Sequence, residues 1–196
     1  MAIASAVHNQ PFATFAETAQ EKTTQVENYW KLYDQGIFLL HSRQYQAALQ
    51  RFEQLIAIAS LQPEVWYVRG DALANLTDYS AALASFDRSL ELDPTQPETW
   101  VFRGVVLIHL KRDADAVTSC DQALKLQPDH EEAWLFRAVA LQRLGHYQKA
   151  YMSFKKVFEA RREPRGEKVF GMTESLFEKE FLNRWALDKE KINDEN

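Results

Sequence analysis

The side chains with metal-binding, nucleophilic or acid–base potential are five histidines, one cysteine and many paired acids. His8, His41, His109, His130 and His146 show no metal-ligand spacing. His130-Glu131-Glu132 does not make a zinc-protease motif. Cys120 and His109 are near enough in sequence to meet, but one such pair does not make a nucleophilic site. Cys120 stands in a column otherwise held by phenylalanine, so it is expected to be a buried apolar side chain. The six glycines form no phosphate-binding loop. No catalytic, metal or cofactor residue is assigned, and the chain is not expected to be an enzyme.

The arginines are more informative, because they recur. Arg69, Arg103 and Arg137 fall at one constant interval. Glu53, Asp87 and Asp121 precede them, each at the same offset. An arginine in a helix–helix seam needs a polar or charged partner. Pairing each with the acid before it satisfies all three, as Glu53–Arg69, Asp87–Arg103 and Asp121–Arg137. Pairing inside one unit would set Arg137 against Lys155. These pairs are expected to fix how units stack rather than to bind an acidic ligand.

The same period runs through the elements that must carry them. Trp66, Trp100 and Trp134 share it, as do Gly36, Gly70, Gly104 and Ala138. Ala48, Ala82, Ala116 and Ala150 form another series, and Phe52, Phe86, Cys120 and Phe154 another. Inside a unit, WYVRGDALANL from Trp66 has apolar residues at helical spacing. Thr77-Asp78 breaks it, and YSAALASFDRSLEL from Tyr79 is a second amphipathic stretch. Asp93-Pro94 ends that stretch, and Gln127-Pro128 ends the next unit. Small residues at fixed places let the two helices approach closely.

This pattern resembles the tetratricopeptide repeat family: an aromatic, a small residue, a further aromatic, alanine and proline at set places in a unit of this length. The resemblance implies an all-α, right-handed superhelical solenoid of four helix-turn-helix repeats, at 29–62, 63–96, 97–130 and 131–164. The outer repeats depart from the pattern at Leu32, Ser60 and Arg162, and the third has Asp113 where an aromatic is usual. Residues 1–28 form an N-terminal extension, partly disordered or helical and running into the first repeat. Residues 165–196 read as a loop and a C-terminal capping helix over Thr173 to Lys191. Ser175 and Glu178 suit a capping box there, and Leu176, Phe177, Phe181, Leu182 and Trp185 form one apolar face.

Composition bounds the function. The 196 residues are 46% hydrophobic and 26% charged, a globular balance. A net charge of -5 argues against nucleic-acid binding. Lys155, Lys156, Arg161, Arg162, Arg165 and Lys168 form a basic cluster, interleaved with glutamates and suited to a helix C-terminus. No apolar run reaches the roughly 20 residues that span a bilayer. No secretory signal is recognisable at the N-terminus, so a cytoplasmic protein is expected. The single cysteine excludes an internal disulfide.

The resemblance also implies that first helices line the concave face. The residues expected there as partner-binding are Tyr33, Ile37, Tyr67, Val68, Asp71, Phe102, Val105, Phe136 and Val139. Leu40, His41, Asn75, Ile108, His109, Gln142 and Arg143 extend the face. The row of aromatics suits a partner helix or linear peptide. The Lys/Asn/Arg clamp by which some family members hold chaperone C-termini is missing; Tyr33, Ile37, Val68, Glu98 and Phe102 stand in its place. The expected function is a non-catalytic scaffold or adaptor, serving assembly of a larger complex. The alternatives are a self-associating structural protein, with the groove filled by a C-terminal helix in a homodimer, and a regulatory subunit of an enzyme.

Overall fold

Helix starts and stops follow local chemistry. Pro63 and Pro97 open two helices at a position where the missing N–H costs nothing. Asp78 caps another, its carboxylate accepting from the Ala81 N–H at 3.1 Å. The computed structural model describes residues 11–160. Among them are eight helices and no strand: α1 (Pro11–His41), α2 (Tyr45–Ala59), α3 (Pro63–Asn75), α4 (Tyr79–Leu92), α5 (Pro97–His109), α6 (Asp113–Leu126), α7 (Glu131–Arg143) and α8 (Tyr147–Ala160). The expected capping helix with Ser175 and Glu178, the C-terminal part of the basic cluster and residues 1–10 lie outside the described residues.

α1 has 31 residues, against 13 to 15 for the others. It starts at Pro11, so residues 11–28 continue the first helix of the first pair without a break. No described helix is long and apolar enough to cross a membrane.

The helices pack in order, each against the next. α1 also touches α3, α3 touches α5, and α5 touches α7. No even-numbered helix touches the next even one. Odd helices are therefore drawn together and even ones splayed apart, which curves the stack with α1, α3, α5 and α7 on the inside. This is the all-α repeat solenoid.

Close approach within each pair depends on the small-residue column. A Cβ on Gly36 would fall 2.4 Å from the Phe52 ring, and one on Gly70 would fall 2.7 Å from the Phe86 ring. Phe52 and Phe86 are fully buried, so each ring fills the space a side chain would need. Cys120 is also fully buried, and burial pushes its thiol up to about 12. That makes it the inert apolar filler expected.

The turns between paired helices share one device. Arg43, Thr77, Lys111 and Gly145 all have positive φ, at 59°, 63°, 61° and 76°. The Thr77 N–H bonds to the Ala74 carbonyl and the Asp78 N–H to the Leu73 carbonyl, each at 3.0 Å, closing α3 with a Schellman motif. A β-branched residue is strained there by about 1–2 kcal/mol. Thr77→Gly should therefore stabilise the protein by about 1 kcal/mol, even after glycine's extra unfolded-state freedom. Calorimetry should show a melting temperature raised by about 2–4 °C. An unchanged or lower value would mean that the turn bears no strain.

Candidate functional site: the inner face of the odd helices

Two features recur along the stack: a polar seam at each interface, and an inner face built by the odd helices. The seam carries the three expected pairs. Arg103 Nε donates to Asp87 at 2.6 Å, and Arg137 Nε to Asp121 at 2.6 Å. Arg69 lies 3.7 Å from Glu53, a looser contact. Each guanidinium also stands over the preceding tryptophan of its own helix, at 6.0, 5.9 and 5.6 Å from the rings of Trp66, Trp100 and Trp134.

A third partner was legible in the sequence but was missed. Arg69, Arg103 and Arg137 donate to Ser85, Ser119 and Ser153 on the second helix of the same pair. These serines are fully buried and repeat with the period of the arginines. Ser85 and Ser153 pass the bond on to the carbonyls of Ala81 and Lys149. The tryptophans do comparable work on the loops. Trp66, Trp100 and Trp134 donate to the carbonyls of Ser60, Pro94 and Pro128 in the loops before them. Each interface thus holds a charge pair, a buried hydroxyl and a stapled loop in one register.

The inner face is built by the odd helices. Tyr33 and Ile37 lie on α1, and Tyr67, Val68 and Asp71 on α3. Phe102 and Val105 lie on α5, and Phe136 and Val139 on α7. Val68 needs correction: it is 4% exposed, sits in the core and presents no surface to a partner. Leu40 and Ile108 are buried in the same core. Tyr33, Ile37, Tyr67, Phe102, Phe136 and Val139 are half-buried, with one side against that core. Tyr67 meets Phe102 edge-on at 5.5 Å, and both rings approach Phe86. The aromatics are therefore partly tucked between helices, and the open apolar surface is smaller than the sequence suggests.

Electrostatics follow from that tucking. Burial pushes the Tyr67 phenol up to about 12, helped by the nearby Asp71 and Glu98 carboxylates. Burial also raises Asp71, opposed by the hydrogen bond from Asn75 at 2.8 Å and by His41. Tyr33 is raised by burial and then by Glu64. His109 is exposed at the end of α5 and stacks on Tyr79 at 4.4 Å.

Two clefts border the odd helices. One, of about 1330 Å³, lies at the α1 end, against Tyr29, Trp30, Tyr33, Ile58 and Glu64. Tyr29 and Trp30 were not anticipated; their rings lie 6.1 and 6.0 Å from that of Tyr33. The other, of about 800 Å³, lies between α5 and α7. It brings together Phe102, Val105 and Phe136 of the expected set with Glu98, Asp129, His130, Glu131 and Glu132, which were not in it. The signal was present, since Glu64, Glu98 and Glu132 also repeat at the interval of the arginines. Among the described residues, no group of three His, Cys, Asp or Glu is arranged to hold a metal ion.

Sequence-family models for tetratricopeptide repeats match residues 33–97, 73–138 and 131–164. The chain belongs to the tetratricopeptide repeat family. No sequence match to a curated protein was found. Solved structures of the family share its backbone. A crystal structure of MamA is 17% identical with a TM-score of 0.66, over 73% of this chain and 84% of MamA. MamA from Desulfovibrio magneticus RS-1, residues 41 to the end, is 22% identical with a TM-score of 0.64, over 68% of this chain and 75% of that one. The first repeat domain of Spaghetti (RPAP3), bound to the HSP90 peptide SRMEEVD, is 18% identical with a TM-score of 0.59. That match covers 61% of this chain and 94% of the domain. At such identities the tetratricopeptide fold is what is shared, and the inner-face side chains are this chain's own.

Proposed function

We propose that this tetratricopeptide protein is a non-catalytic adaptor whose inner face holds a helix or linear peptide of another protein. The repeat units are read as 29–62, 63–96, 97–130 and 131–164. The observation that carries the reading is the α5–α7 cleft, floored by half-buried Phe102, Val105 and Phe136. A preformed apolar cleft binds without the cost of ordering a loop. Tyr33, Ile37, Tyr67, Asp71 and Val139 extend the same face toward either end. No cofactor is assigned a role.

The peptide SRMEEVD of the RPAP3 complex is acidic. In this chain the clamp positions carry Tyr33, Ile37, Val68, Glu98 and Phe102, which offer such a tail no cation. We therefore place this chain outside the chaperone-tail binders.

The test is affinity capture from native lysate, with wild type beside Val105→Glu. Val105 is chosen because it lines the cleft, whereas Phe102 also supports Tyr67 and Phe86. Circular dichroism should show both proteins equally helical. A protein captured by wild type and reduced at least about tenfold by the variant supports the adaptor reading. Equal capture by both sinks the cleft as the site. A dimeric mass by light scattering with nothing captured would replace the adaptor by self-association.

A further inference from the structure

The charge of the α5–α7 cleft restricts what can enter it. Its lining contains four carboxylates, on Glu98, Asp129, Glu131 and Glu132, and no lysine or arginine. Glu98 and Glu132 are exposed at the cleft edge. Glu98 has no cationic partner among the described residues, and Glu132 meets only the imidazole of His130, at 3.2 Å. Glu64 continues the row at the α1 end without an ion pair among the described residues, but Lys31 and Arg51 line that cleft, so the acidic character is confined to the α5–α7 cleft. An acid in the first turn of a helix is favoured by the dipole whatever it binds. The dipole does not account for the aromatic floor beside the acids. Nor does it account for the contrast with the outer seam, where Asp87 and Asp121 are each closed by an arginine.

We infer that the occupant of this cleft is a basic amphipathic segment of a partner protein, with an apolar side chain on Phe102, Val105 and Phe136 and Lys or Arg on Glu98 and Glu132. The inference rests on the adaptor reading and names the partner's chemistry. An acidic or neutral peptide would partly desolvate Glu98 and Glu132 and bring no counter-charge to them. A basic one neutralises them at the rim while its apolar face covers the floor. Recognition of this kind weakens steeply with salt.

The test uses the full chain and two labelled synthetic peptides of about 14 residues. One is an amphipathic peptide of Lys, Leu and one Phe; the other replaces every Lys by Glu. Fluorescence anisotropy reads affinity, and amide chemical shifts read the place. The Lys peptide should bind, shift the amides of Phe102, Val105 and Phe136, and lose affinity about tenfold or more in Glu98→Gln/Glu132→Gln. The control Glu91→Gln, on α4 and paired with Arg88, should leave it unchanged. If the Glu peptide binds the same residues as well as the Lys peptide does, the charge selectivity fails and the adaptor reading survives. If neither peptide shifts the cleft, both fail. If the Lys peptide binds only after Arg161, Arg162, Arg165 and Lys168 are changed to Gln, the occupant is the chain's own basic segment and the inference is overturned.

Discussion

Asp87→Arg should lower the melting temperature by about 4–10 °C, the cost of about 2–3 kcal/mol in a chain of this size. Arg103 reaches Asp87 at 2.6 Å with its side chain only 20% exposed. Hydrogen bonds to charged groups contribute about 1.5–3 kcal/mol, and the substitution also sets two cations against each other. Asp87 is 44% exposed, so solvent screening keeps the effect within that range. Glu53→Arg supplies the internal comparison. Its partner Arg69 is 3.7 Å away rather than 2.6 Å, so the loss should be less than half as large. Unchanged melting of the Asp87 variant would show that the seam is fixed by the buried serines and tryptophans alone.

The repeat was legible because constant spacing multiplies weak signals. A single arginine at a given offset from an acid means little; three such pairs at one period specify an interface. The pairs could be assigned because the alternative left Arg137 facing Lys155. The serine column had the same period and went unread. A lone serine carries no sign of its partner, whereas a charge demands one. The inner face was less legible because burial there depends on side-chain length. Val68 and Phe102 share a column, as do Tyr67 and Val101. In each, the valine is buried and the aromatic is half-buried, since the ring reaches past the seam. Apolar periodicity gives the direction of a side chain and not how far it emerges. The acids of the cleft repeat with the period of the arginines, but periodicity alone does not say that they flank Phe102 and Phe136; that follows from the packing of α5 against α7.

Gly70→Ala separates packing from helix propensity by the sign of its effect. In an exposed helix interior the change should stabilise by about 1 kcal/mol. Here the new Cβ would lie 2.7–2.9 Å from three atoms of the Phe86 ring, which is fully buried. Overpacking of this kind costs about 1–3 kcal/mol, and a contact this short on a buried ring belongs at the upper end. The net expectation is a loss of about 1–2 kcal/mol, read by urea unfolding. The third unit offers the remedy, because Gly104 there faces the smaller Cys120, with a virtual Cβ at 3.0 Å from its sulfur. Phe86→Cys alone should cost about 3 kcal/mol through the cavity it leaves. Combined with Gly70→Ala, the smaller sulfur leaves most of the ring's place empty and the new methyl can fill part of it. The double variant should therefore be less destabilised than the sum of the singles by at least about 1 kcal/mol. Strict additivity would show that the glycine and the ring do not set the helix spacing. The fourth unit holds Ala138 and Phe154 in these same columns, both buried. Each unit thus fills the site with its own pair, glycine with phenylalanine or cysteine, or alanine with phenylalanine, and a substitution must fit the partner its unit already holds.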